Sequence, residues 1–163
     1  PEDVDAAFDK AIAAWGRVDV LFNNAGRGSP PKTADETDVD VWMDVVRINL
    51  TGSFLCARAA FGIMRRQSPQ GGRIINNGSI SAHVPRPFSI AYTATKHGVT
   101  GITKTTALDG RRLVLGPLAA GPHDLRVRAV AARSAARADA RALELVRERR
   151  AQPYDIYSLG GGV

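Results

Sequence analysis

Gly78-Ser79-Ile80-Ser81-Ala82-His83-Val84-Pro85-Arg86-Pro87-Phe88-Ser89-Ile90-Ala91-Tyr92-Thr93-Ala94-Thr95-Lys96 is the stretch on which the reading of this chain turns. Its second half, free of proline and glycine, is the start of a helix. Tyr92 and Lys96 stand four positions apart, so on that helix their side chains share one face about one turn from each other. An ammonium placed there favours the phenolate, which suits the pair to proton donation and acceptance near working pH. Ser79 precedes Tyr92 by thirteen residues, where a rising strand would deliver its hydroxyl to the same place. Ser81, on the same strand phase, is the rival for that position, and the spacing favours Ser79.

Outward from this stretch, helical and extended patterns alternate. Val4, Phe8, Ile12 and Trp15, with Ala7 and Ala11, recur at helical spacing and predict an amphipathic helix over 2–15 that Gly16 ends. Val18 to Phe22 reads as a short strand covered on both faces. It runs into Asn23-Asn24-Ala25-Gly26, small and turn-tolerant residues that let the backbone approach a ligand closely. Residues 27–36 read as loop. A long apolar helix follows over 38–66, with Asn49 in its middle and Thr51, Gly52 and Ser53 close behind, a composition that predicts a bend. A turn over 67–72 leads to a second strand at 73–77. A third helix spans 91–108 and ends near Asp109-Gly110, with Gly98 and Gly101 suited to tight packing. Helix alternating with strand in this order predicts a parallel α/β sheet.

The net charge of +6 divides unevenly. Residues 1–110 hold 12 Lys/Arg against 11 Asp/Glu, whereas residues 111–163 hold 10 arginines against 5 acids. The basicity therefore belongs to the tail, where alanine is abundant and buried-strand residues are scarce. Leu125 to Val130 alternates only weakly, and residues 131–152 have the propensity of an Ala/Arg helix. Without interleaved aromatics, and with Asp139, Glu144 and Glu148 interrupting the run, the tail does not read as a nucleic-acid surface. The single cysteine, Cys56, excludes an intrachain disulfide, fits a reducing, cytoplasmic setting and reads as a buried small hydrophobe. His83 and His97 accompany no cluster with metal-ligand spacing, and no run of 18 or more apolar residues suggests a membrane span.

Asn23-Asn24-Ala25-Gly26, Asn49, Ser79 and Tyr92-x-x-x-Lys96, in that order and spacing, resemble the short-chain dehydrogenase/reductase (SDR) family over residues 1–110. The resemblance implies a partial Rossmann-like, doubly wound α/β domain at 1–110, followed by an atypical tail at 111–163, helical or disordered. It implies NAD or NADP as cofactor and a small carbonyl or secondary alcohol as substrate. Tyr92 would exchange a proton with the substrate oxygen, Ser79 would hold that oxygen, and Lys96 would assist the phenol and bind the nicotinamide ribose. Asn49 would mark a helix kink whose carbonyl holds a water in a proton relay. Asn23, Ala25 and Gly26, with Asn49, Tyr92 and Lys96, would lie along the cofactor. The family's helices corresponding to 38–66 and 91–108 pack across subunits of a homo-oligomer, with Phe54, Phe61, Val99 and Ile102 as candidate contacts.

Two departures from the family pattern qualify these expectations. The glycine-rich phosphate loop is expected before Pro1, and Gly160-Gly161-Gly162 does not replace it. The buried strand and Pro-Gly turn expected after the third helix have only Leu113 to Leu118 and Gly121-Pro122 as counterparts. Cofactor binding by the 163-residue chain is thus expected to be impaired, and the strand at 18–22 to present an open edge. An inactive SDR fragment or pseudoenzyme that keeps only structural and dimerising elements is the alternative reading.

Overall fold

A computed structural model describes the chain over residues 1–114, together with the backbone of a strand at 124–131. The order of elements is α1 (Glu2–Trp15), β1 (Val20–Asn23), α2 (Val39–Val46), a π-helical turn (Arg47–Thr51), α3 (Gly52–Arg66), β2 (Gly71–Gly78), a 3₁₀ turn (Ile80–Ala82), α4 (Ile90–Val114) and β3 (Asp124–Ala131). The three strands form one parallel sheet in the order β1-β2-β3, with Val20 opposite Arg73 and Gly71 opposite Asp124. The helical expectation beyond Ala131 and the Gly121-Pro122 turn lie outside the described residues.

Helix α1 carries Glu2, Asp3 and Asp5 in its first turn, where the helix dipole favours anions. It stops at Gly16, whose φ of 74° is the left-handed conformation glycine adopts without a Cβ penalty and whose N–H reaches the Ile12 carbonyl at 2.8 Å. Its apolar stripe, Phe8, Ala11 and Ile12, packs on a core of Val18, Ala57, Ala60, Met64, Ile74 and Ala107. Strand β2 passes close beneath α3: a Cβ on Gly72 would lie 2.5 Å from Met64 Sδ.

Strand β1 starts two residues later than the pattern of apolar residues predicts. Val18 is buried, but the Gln67 side chain occupies its backbone, accepting from its N–H at 3.0 Å and donating to its carbonyl at 2.9 Å. A side-chain amide thus stands where a neighbouring strand would be. Nor is β1 covered on both faces among the described residues, since Val20 is 40 % exposed. Strand β2 extends over the glycines read as turn, because Gly71 and Gly72 pair with Asp124 and Leu125 of β3. That third strand replaces the weak alternation seen at 125–130. Helix α4 continues past Gly110, which is buried in packing and does not act as a stop.

The bend expected in the long helix falls at Asn49, inside the five-residue π turn that joins α2 to α3. The extra residue per turn opens space for Leu50 to meet α4 at Gly98, where a Cβ would come within 2.7 Å of Leu50 Cδ1. Gly98 therefore serves contact between helices, whereas a Cβ on Gly101 would meet nothing within 4 Å. Of the four candidate subunit contacts, Val99 is buried within the chain, Phe61 and Ile102 pack on the core, and Phe54 is exposed.

Ile74 is fully buried at the centre of the sheet. Replacing it with alanine removes three methyl or methylene carbons from a packed site, so Ile74→Ala is expected to lower unfolding free energy by about 2–4 kcal/mol, read by urea denaturation.

Candidate active site

The end of β2 and the first turns of α4 bring the chemistry together. Lys96 is only 5 % exposed, its Nζ donates to the Asn77 carbonyl at 2.7 Å, and it lies 5.5 Å from the centroid of the half-buried Tyr92 ring. Burial pushes the Lys96 ammonium below its ordinary lysine value. The cation is thus held in place, largely out of water, one turn from the phenol.

Ser79 leaves β2 in extended conformation and caps the 3₁₀ turn, its Oγ accepting from the Ser81 N–H at 3.1 Å. A hydroxyl that accepts in this way keeps its own proton to donate. Ser79 is 8 % exposed, whereas Ser81 is fully buried and its Oγ has no hydrogen-bond partner among the described residues. Of the two serines, Ser79 keeps slight exposure and Ser81 none.

Asn49 acts as a clasp. Its Oδ1 accepts from the Arg27 N–H at 2.8 Å, and its Nδ2 donates to the Arg27 carbonyl at 2.8 Å and to Thr95 Oγ1 at 3.3 Å. Thr95 in turn donates to the Tyr92 carbonyl at 2.8 Å, so one side chain ties the loop after Gly26 to the helix that carries Tyr92 and Lys96. The Asn49 carbonyl accepts from Ser53 Oγ at 2.8 Å and retains a second lone pair. Arg27 is anchored again through its side chain to Asp44, and Arg47, then Arg27, holds that half-buried carboxyl below the usual range. Gly26 fits beneath the clasp, since a Cβ there would meet Asn49 Oδ1 at 3.3 Å.

Behind the site runs a buried polar file. Asn23 Nδ2 donates to the Ser53 carbonyl at 3.1 Å and to Asn76 Oδ1 at 2.8 Å, while Asn76 Nδ2 donates to Thr103 Oγ1 at 2.8 Å. Asn23 thus joins β1, β2 and α3, whereas Ala25 and Gly26 are exposed along the loop beyond it. Asn76, Asn77, Thr95 and Thr103 are polar neighbours of the candidate site that motif spacing does not single out. The doublets Asn23-Asn24 and Asn76-Asn77 were the available signal, for they fall at the ends of paired strands in matching register.

The remaining candidates fall elsewhere. His83 and His97 are exposed, His97 Nδ1 lying 2.9 Å from the Thr93 carbonyl, and no metal-capable group of His, Cys, Asp or Glu occurs among the described residues. Cys56 is half-buried, and burial pushes its thiol up. An open apolar hollow of about 360 Å³, lined in part by Phe88, Ile90, Thr93 and Ala94, sits on the face of α4 turned away from Tyr92 and Lys96. Among the described residues no helix is long and apolar enough to cross a membrane.

A family model described as short chain dehydrogenase matches residues 1–114, which hold every one of these site residues. The chain belongs to that family. An uncharacterized oxidoreductase of Escherichia coli, YohF, is 43 % identical over 103 residues, covering 63 % of this chain and 40 % of that protein. Trans-4-hydroxycyclohexanecarboxylate dehydrogenase of Sinomonas cyclohexanicum is 40 % identical over 132 residues, 79 % of this chain and 44 % of that protein. Among solved structures, a 3-ketoacyl-(acyl-carrier-protein) reductase from Brucella melitensis complexed with NADH superposes with a TM-score of 0.70 at 31 % identity, over 80 % of this chain and 50 % of that one. ElxO with NADP bound gives a TM-score of 0.68 at 30 % identity, over 80 % and 48 %. This SDR chain therefore spans about half the length of the relatives it matches, and members of its family bind either nicotinamide cofactor.

The residues present fit the nicotinamide half of such a cofactor: a buried cation, a neighbouring phenol and a buried, unfilled acceptor on Asn77 converge at the end of β2. The lowered Lys96 also has a thermodynamic signature. Between its lowered folded value and the ordinary lysine range, the unfolded chain still binds the proton that the folded chain has released, so wild-type stability rises with pH in that window. Relative to Lys96→Met, the wild-type chain is expected to gain stability as pH rises from neutral toward about 10, read by urea unfolding at both ends of the range. A pH-independent difference would contradict the lowered ammonium.

Proposed function

We propose that this chain carries the proton-transfer site of an NAD(P)-dependent oxidoreductase that interconverts a secondary alcohol and a carbonyl in the cytoplasm. The observation that carries this reading is the buried Lys96 ammonium, fixed on the Asn77 carbonyl one turn from Tyr92. The cofactor, when bound, supplies or takes up the hydride. The chain's own residues manage the proton and the charge on the substrate oxygen.

In the reductive direction, Tyr92 gives its hydroxyl proton to the oxygen as negative charge builds there, and Ser79 donates a hydrogen bond to the same oxygen. Lys96 holds positive charge beside the phenolate that Tyr92 becomes, which favours proton departure. Oxidation reverses each transfer. Asn49 keeps the loop after Gly26 and the Tyr92 turn in register through Arg27 and Thr95, so that donors and substrate meet at fixed distances. Lys96, Tyr92, Asn23, Ala25 and Gly26 are the residues that would hold the cofactor. A secondary alcohol is favoured as substrate because relatives are named a trans-4-hydroxycyclohexanecarboxylate dehydrogenase and a 3beta-hydroxysteroid dehydrogenase. Assembly into a homo-oligomer, with exposed Phe54 at the interface, accompanies this reading.

The decisive experiment is Tyr92→Phe in a form of the protein that also carries the family's glycine-rich loop. Removing one hydroxyl deletes the proton without altering the ring, so turnover is expected to fall by about 10²-fold or more while NAD(P)H affinity stays within about twofold. Near-normal turnover would refute the assignment. Saturable NAD(P)H fluorescence changes separate this reading from a catalytically silent chain, which gives none at millimolar cofactor.

A further inference from the structure

Asn77 stands one residue before the end of β2. Its backbone carbonyl accepts the Lys96 ammonium at 2.7 Å, and its side-chain Nδ2 donates to Asn24 Oδ1 at 2.7 Å. Its own Oδ1 is buried and has no hydrogen-bond partner among the described residues. A buried carbonyl oxygen left without a donor is costly, and such atoms are rare enough in folded proteins to call for a partner.

The position of that oxygen identifies the kind of partner. Alternation along an extended chain puts Asn77 on the same face as Ser79, two residues on, and opposite to Asn76, which is committed to Asn23 and Thr103. The orphan acceptor therefore belongs to the end of the sheet where Ser79 and Lys96 converge. Neither polar neighbour bonded to Asn77 serves that oxygen: the Lys96 ammonium is directed at the Asn77 backbone carbonyl, and Asn24 Oδ1 is itself an acceptor, taken by the Asn77 amide. What the oxygen lacks is an O–H or N–H from outside the described residues.

We infer that Asn77 is a cofactor-binding residue of this chain, its Oδ1 accepting from an O–H or N–H donor of the nicotinamide mononucleotide half. This rests on the oxidoreductase reading above and adds a side chain to it. Ribose hydroxyls and the carboxamide N–H are the donors that half can offer. Asn77 thereby performs two tasks with one residue, steering Lys96 through its backbone and the nucleotide through its amide.

The test is an NMR titration of the 163-residue chain with nicotinamide mononucleotide. Asn77→Leu, which removes the acceptor, is expected to weaken binding by about tenfold, the equivalent of one well-formed hydrogen bond, while Asn24→Ala, which removes only the strand-end tie, stays within about twofold. Asn77→Ala replaces the leucine variant if the latter fails to fold. Retained affinity in the Asn77 variant overturns the inference, as does an equal loss in Asn24→Ala, which would mark a purely structural role. Both outcomes leave the oxidoreductase reading standing. Absence of binding by the wild-type chain at saturating nucleotide would overturn the inference, whereas the oxidoreductase reading stands or falls separately on the turnover of Tyr92→Phe in the form that carries the glycine-rich loop. Repeating the titration with nicotinic acid mononucleotide, whose carboxylate has no N–H, distinguishes the donor: a persistent variant effect assigns the ribose hydroxyl, and its disappearance the carboxamide. Either result supports Asn77 as the acceptor.

Discussion

The hydrogen bond from the Lys96 ammonium to the Asn77 carbonyl, 2.7 Å long and almost wholly removed from water, joins the helix that bears the chemistry to the central strand of the sheet. A buried cation without a partner is strongly disfavoured, so this bond demands that the last residues of β2 and the second turn of α4 meet in one register. The other buried polar contacts enforce that register. Asn76 reaches Thr103 on α4 and Asn23 on β1, and Asn49 reaches Thr95 from the π turn. Every one of these links engages α4 or the strand beneath it. The apolar core on Ile74 supplies the driving force for collapse, and the polar file selects the one alignment in which Lys96 is satisfied.

Much of this was legible in the residues themselves. Helical periodicity located α1, whose apolar stripe has ordinary spacing, and local composition located the α2–α3 bend and the start of α4. The tyrosine and lysine were legible because a four-residue interval has a geometric meaning on a helix. Less legible were features that depend on partners distant in sequence. Val18 looks like strand and is buried like strand, yet Gln67 takes its backbone groups. Gly71 and Gly72 look like turn and become strand through pairing with β3. Gly110 looks like a helix end and is packed inside one. In each case a local preference of a fraction to one kcal/mol yields to tertiary contact.

The candidate site shows the same division. Ser79 was singled out by its spacing and Asn49 by the bend it predicts, their roles being implied by resemblance, while the reason for each residue's position came only with structure. Asn49 is a clasp on Arg27 as much as a marker of a bend, and its side chain does the holding. Asn76 and Asn77 were read as the end of a strand. A polar pair in a buried strand conflicts with local expectation, and such conflicts concentrate where function needs a polar group in place.

The parallel sheet also determines how this chain must fold. Both strand pairings join residues 53 positions apart, as Asn23 with Asn76 and Gly71 with Asp124. None of the described strands finds its neighbour through a tight hairpin, and each pairing spans an intervening helix. Loop-closure entropy is incurred before any ladder bond returns stability, which places the rate-limiting step in crossover assembly and not in strand formation. The Gln67 amide that grips Val18, just ahead of β1, adds a further link across the α2–α3 crossover, 49 positions away in the chain.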